Sequence, residues 1–116
     1  MWKRKTRKQL LQALDGLIWE SSSRPVSQLE IYHVNSWGET DFGSQEIFFN
    51  LDDVVGRLMD LSISHRIVKV SSANFTGNRG TLVVFRVMQD PDFKTNIDAE
   101  FMDRIMRLNF NGTDEV

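Results

Sequence analysis

Proton-transfer or metal chemistry in this chain would have to come mainly from two histidines and sixteen acidic residues, because there is no cysteine. Glu30-x-x-His33 would align on a helix at i, i+3, a carboxylate–imidazole spacing found in metal-binding helical bundles. A second such pair is missing, and His65 lies far along the chain. A surface or hydrogen-bonded histidine is the plainer role for both. Asp52-Asp53 and Asp90-x-Asp92 offer paired carboxylates, yet a helix cap and a turn explain them as well. No G-x-S-x-G elbow, P-loop or G-x-G-x-x-G fingerprint occurs. The sequence therefore predicts no catalytic residues, no metal and no cofactor.

Binding chemistry is better represented. Lys3, Arg4, Lys5, Arg7 and Lys8 precede the first acid, Asp15, so a basic arm opens a chain whose net charge is −2. Such an arm can contact phosphates; its plainer role is a solvated terminus. Within RIVKVSSANFTGNRGTLVVF, residues 66–85, two β-rich runs flank a polar loop carrying Asn78 and Arg79. Lys69 and Arg86 sit in the flanking runs. Gly77 and Gly80 permit positive φ, whether the loop grips a ligand or merely turns. Trp19 and Trp37 fall outside the tightest apolar patterns, and Trp37 and Phe42 share a loop-like segment, so they are candidates for a partner surface. Phe101, Met102, Ile105 and Met106 make an adaptable helical stripe that suits either the chain's own sheet or a second copy.

These residues need elements to hold them. Thr6 can cap a helix from about Arg7 to Glu20, with Leu10, Leu11, Leu14, Leu17 and Ile18 on one stripe. Pro25 lies past its end. Val26 to Trp37 suits either a short helix capped by Ser27 or a strand with alternating Leu29, Ile31 and His33. Trp37–Gly43 reads as a loop, and Gln45–Phe49 as a strand or buried entry segment. Asn50 caps a second amphipathic helix, with Asp52 and Asp53 in its first turn and an end near Leu61. Ile67–Val70 and Thr81–Met88 are strands, and Asp90-Pro91-Asp92 breaks the pattern. A last helix starts at Thr95 or Asn96 and carries Ile97 to Leu108. This is an α+β chain: a basic arm at 1–8, one domain over 9–108 and a polar tail at 109–116.

The run Asp53-Val-Val-Gly-Arg-Leu-Met-Asp-Leu, followed by Arg66-Ile-Val-Lys-Val and a hairpin, resembles the winged helix-turn-helix superfamily over about residues 7–89. Leu10-Leu11-Gln-Ala-Leu14 is similar to that family's opening helix and Pro25–Ile31 to the entry of its second. The resemblance implies a third helix placed in the major groove of DNA and a hairpin wing. The segment Asn35–Phe49 is an insertion relative to the family, open to being either loop or an extra β element. The outer face of the third helix offers Asp52, Asp53, Arg57 and Asp60, an acidic neighbour for phosphate.

Two binding functions follow. The first is a small regulatory protein that binds double-stranded DNA, with phosphate contacts from Lys3, Arg4, Lys5, Arg7, Lys8, Lys69, Asn78, Arg79 and Arg86, and with Arg57 and Asn50 for specificity. The second is a protein-binding module or inhibitor that meets a larger partner through an acidic, aromatic surface including Trp37 and Phe42. A homodimer through Phe101, Met102, Ile105 and Met106 is compatible with either. No apolar run is long enough to span a membrane and no secretory leader is evident, so a cytoplasmic or nucleoid-associated place is expected. The two Asn-x-Thr matches, at Asn74 and Asn111, are then chance.

Overall fold

Thr6 opens the first helix with a reciprocal cap. Its hydroxyl accepts from the Gln9 N–H, and the Gln9 side chain accepts from the Thr6 N–H at 2.8 Å. The computed structural model describes residues 6–77, 80–90, 92 and 95–112. From that cap the order is α1 (Arg7–Ser21), β1 (Val26–Val34), β2 (Thr40–Phe48), α2 (Leu51–Leu61), β3 (His65–Asn74), β4 (Thr81–Gln89) and α3 (Ala99–Ile105). The protein is α+β, with three helices beside a four-stranded mixed sheet ordered β2-β1-β4-β3. Among the described residues no helix is long and apolar enough to cross a membrane. The arm residues Lys3, Arg4 and Lys5 lie outside the described residues.

The segment that suited either helix or strand is a strand. β1 pairs in parallel with β4 and antiparallel with β2, and β-branched and aromatic side chains fit that central position. Its neighbour β2 includes much of the stretch expected to be loop, Trp37–Gly43. The loop composition is real: residues 42–45 form a wide bulge between the pairs Ile31↔Glu46 and His33↔Asp41. Asp41 Oδ1 accepts from the Gly43 N–H, and the Ser44 hydroxyl donates to the Asp41 carbonyl and accepts from the His33 N–H. The segment Asn35–Phe49, open to loop or strand from the sequence, thus supplies β2, and β1 and β2 form a hairpin. A helix-turn-helix needs two helices in succession, and here that hairpin stands between α1 and α2.

All three helices bury their apolar sides on one face of the sheet. Leu10, Leu14, Val54, Leu58, Phe101 and Ile105 meet Leu29, Ile31, Ile67, Val83, Phe85 and Val87 in one core. Phe85 and Phe101 pack edge to face at 6.4 Å. The other sheet face carries a small cluster of Val34, Val68 and Met88; among the described residues no helix covers it.

α2 starts at its expected cap, where Asn50 Oδ1 accepts from the Asp53 N–H at 2.8 Å. α3 starts later than expected, capped by Asp98 through the Phe101 N–H. The reason is that Asn96 has another task. Its buried amide accepts from the Ile67 N–H at 2.8 Å and donates to the Ile67 carbonyl at 2.9 Å, standing in for a neighbouring strand on the outer edge of β3. The tail is likewise engaged at its start: Asn111 donates to the Val26 carbonyl, Val26 donates to the Asn109 carbonyl, and Asn109 bonds Ser21. Gly80 has φ +90, and a Cβ there would lie 2.7 Å from the Pro25 carbonyl oxygen, so no side chain fits at the end of the β3–β4 turn.

Asn96→Ala leaves two backbone groups of Ile67 unpaired in a buried place. It is expected to lower stability by about 2–3 kcal/mol, read as a fall in the urea midpoint with an unchanged slope. Asn96→Leu, which restores volume but not hydrogen bonds, is expected to recover little of that loss.

Candidate functional site

The cations singled out in the sequence do not converge. Arg7 lies in the first turn of α1, donating to Asp98 at 2.7 Å and Glu100 at 2.6 Å, and so ties α1 to α3. Hydrogen bonds to the two carboxylates raise its pKa; Arg7 in turn holds Asp98, and Arg104 then Arg7 hold Glu100, below the usual carboxylate range. Lys8 is exposed on α1. Arg57 points from α2 to Glu46 on β2, donating through Nε at 2.7 Å and Nη2 at 3.2 Å. Asn78 and Arg79, the expected tip of a wing, lie outside the described residues. The hairpin leading to them is fastened to the body: Arg24 donates to the carbonyls of Phe75, Gly77 and Gly80.

Lys69 and Arg86 are the exception. They pair across β3 and β4 on the helix-free face of the sheet. Arg86 donates to the Thr40 hydroxyl at 3.0 Å and the Ser71 hydroxyl at 3.3 Å, and among the described residues neither it nor Lys69 forms an ion pair with a carboxylate. The sequence reading missed their neighbour Tyr32, which lies opposite Arg86 on β1 and meets the Phe42 ring edge to face at 5.7 Å. It also missed the polar centre of this face. Glu30, buried, accepts from Gln28 and Gln45 at 2.8 and 2.9 Å. Burial, then a hydrogen bond to Glu30, push the Tyr32 phenol pKa upward. The alternation of β1 carried the signal, since Gln28, Glu30 and Tyr32 share one face only if 26–34 is a strand.

The expected partner residues divide. Trp37 is 78% exposed at the β1–β2 turn and Phe42 is 69% exposed. That turn is bonded internally: Asn35 Oδ1 accepts from the N–H groups of Trp37 and Glu39, Asn35 Nδ2 donates to Glu39, and Gly38 takes φ 84. Phe101 and Ile105 are wholly buried in the core, which removes them from any partner surface and leaves no helical homodimer stripe of four. Met102 and Met106, with Met59 of α2, line an open apolar groove of 540 Å³ between α2 and α3. Its rim acids Asp98 and Asp103 are already paired, with Arg7 and Arg107.

The histidines are closer than their sequence separation suggests. On a strand, Glu30 and His33 face opposite ways, which dissolves the i, i+3 pair. Instead His33 meets Glu46 at 3.3 Å, and its ring lies 5.2 Å from that of His65, nearly perpendicular. His65 Nδ1 is 2.7 Å from the Ser64 hydroxyl. Arg57, then His33, hold Glu46 below the usual carboxylate range. No grouping of three or more metal-ligating side chains occurs among the described residues. What this cluster can do is sense protons. Burial, reinforced by the charges of His33 and Arg57, lowers the pKa of His65. The folded chain therefore binds fewer protons here than the unfolded one.

The stability that His65 contributes is complete above the unfolded imidazole value, about 6.5. It is lost as pH falls through the lower folded value. Urea midpoints are expected to decline from pH 7 to pH 5, and His65→Gln should flatten that part of the profile. The Glu46–Arg57 contribution should persist to lower pH, until the depressed Glu46 carboxyl titrates. Comparison of the chain with models of known families, with curated proteins and with solved structures gave no match.

Proposed function

We propose that this protein is a protein-binding module that docks on a larger partner through the acidic, aromatic β1–β2 hairpin, with Trp37 as its anchor. The carrying observation is a tryptophan 78% exposed on a turn whose polar groups are satisfied internally. A large ring held on an ordered turn loses little conformational freedom on insertion into a pocket, which is how a single residue comes to dominate an interface. Glu39 beside it and Asp41 beyond are exposed acids, suited to a basic rim around that pocket.

The double-stranded DNA reading has less support. It asks for phosphate-binding groups on one side, while Arg7 and Arg57 are held by carboxylates on the helix layer and Lys69 and Arg86 lie across the sheet. The α2 surface proposed for a major groove remains acidic, with Asp52, Asp53 and Asp60 exposed.

Trp37→Ala is expected to weaken partner binding by about 2 kcal/mol or more, roughly thirtyfold in Kd, while shifting stability by less than about 0.5 kcal/mol. The measurement is titration of the partner recovered in stoichiometric amount by the wild-type chain after nuclease treatment. Equal affinity of the Trp37→Ala chain, or loss of the partner on nuclease treatment, refutes the reading.

A further inference from the structure

The helix-free sheet face has an internal order that the hairpin reading does not use. Tyr32 lies opposite Arg86, and Arg86 opposite Lys69, so the three stand at one level on β1, β4 and β3. Phe42 of the β2 bulge extends the row by its ring contact with Tyr32. Across the sheet the row reads ring, ring, cation, cation. The order of strands, β2-β1-β4-β3, sets it so.

Such a row is complementary to its own inverse. Consider a second copy laid face to face, related by a two-fold axis that runs parallel to the strands between β1 and β4. The rotation carries β2 over β3 and β1 over β4. Phe42 then lies over the partner's Lys69, and Tyr32 over the partner's Arg86, each contact occurring twice. Every cation then lies over a ring, Tyr32 and Phe42 being inclined at 71° to each other, and no cation meets a cation. The other in-plane two-fold, perpendicular to the strands, sets like over like and stacks the cations on each other. One symmetric arrangement is therefore selected by charge.

We propose that the helix-free sheet face is a homodimer interface, in which the row Phe42, Tyr32, Arg86 and Lys69 pairs with the same row of a second copy. The area is sufficient. Four strands about 4.8 Å apart and about 30 Å long present a face of roughly 600 Å² before side-chain relief, of the order of the 800 Å² per partner in a standard interface. Ile47, 44% exposed on this face, adds apolar surface to be covered. Aligned sheets stack about 10 Å apart, the distance at which interdigitated side chains fill the gap.

Rings beside cations would also suit a single-stranded nucleic acid, the rings stacking on bases and the cations meeting phosphates. The second copy fits better. Among the described residues, the cations of this face without a carboxylate partner are Lys69 and Arg86, and the face places the buried Glu30 carboxylate beside Tyr32. A polyanion would meet that negative charge, whereas a second copy supplies ring and cation in equal number.

The experiment uses two charge-altered chains. In one, Arg86 and Lys69 become Glu; in the other, Tyr32→Arg and Phe42→Lys. Light scattering should give the wild type a mass near twice 13.5 kDa, and each altered chain alone a single-chain mass. Mixing the two should restore a dimer, because each new acid then faces a new base while the remaining rings face cations. The exposed pair Lys69→Glu and Phe42→Lys carries the same swap if either double variant fails to fold. A wild type that stays single-chain at millimolar concentration overturns the proposal, as does a folded mixture that stays single-chain. Binding of a labelled single-stranded oligonucleotide by a single-chain wild type, lost in both altered chains, overturns it in favour of nucleic acid. Trp37→Ala should dimerise like the wild type, which separates this outcome from the fate of the hairpin reading.

Discussion

The parallel ladder between β1 and β4 is the contact on which the rest of the molecule depends. The hairpins β1–β2 and β3–β4 each pair neighbouring strands in sequence, but a two-stranded hairpin alone is marginal in water. The ladder from Val26↔Thr81 to Val34↔Met88 joins them across a long stretch of sequence. Loop closure of that length opposes it, and burial must supply the compensation. Leu29, Ile31, Val83, Phe85 and Val87 become inaccessible only when the two central strands lie side by side beneath the helices. The same ladder carries α2 as its crossover and places Tyr32 beside Arg86. Core and candidate surfaces therefore depend on the same strand pairing.

Local signals were legible where a side chain acts on its own neighbourhood. Thr6 and Asn50 cap the helices expected of them, and the apolar stripe Leu10, Leu11, Leu14 and Leu17 is the buried side of α1. Thr81–Met88 is a strand because Val83, Phe85 and Val87 fill one face while Val84 and Met88 are buried on the other. Legibility failed where a distant partner decides. Val26–Val34 suits two periodicities, and only its place between β2 and β4 settles which is used. The Asp41–Ser44 stretch has turn chemistry and performs it, but inside an edge strand, where a bulge interrupts pairing. Asn96 resembles a helix cap and instead completes the edge of β3, a role visible only once Ile67 is beside it. Lys69 and Arg86 could be singled out as cations; that two rings complete their row is a property of strand order.

Charge follows the same logic. The contrast between a basic start and an acidic body suggested a separated, phosphate-seeking side. Among the described residues much of it is consumed internally: Arg7 bonds Asp98 and Glu100, Arg104 bonds Asp15 and Glu100, and Arg57 bonds Glu46. Exposed pairs of this kind contribute little stability singly. They do fix the start of α1 to α3 and aim Arg57 at β2, so a count of charges along the chain overstates the field that the folded surface presents.

The manner in which the two edges are finished bears on which association the fold permits. An exposed edge strand invites pairing with another chain, and natural sheets blunt it with bulges, charge or a covering group. Both edges here are treated so. On β2 the bulge at residues 42–45 breaks the row of backbone donors and acceptors. On β3 the register shifts between Ile67 and Lys69, and the Asn96 amide already occupies both backbone groups of Ile67. Near the start of β1, beyond the pairing with β2, residues Asn109 and Asn111 occupy Val26 in the same way. Extension of the sheet edge to edge is thereby discouraged at several points. Among the described residues, no helix covers the broad face opposite. It carries the row of rings and cations, so the route left to a second copy is across that face, where side chains rather than backbone decide the fit.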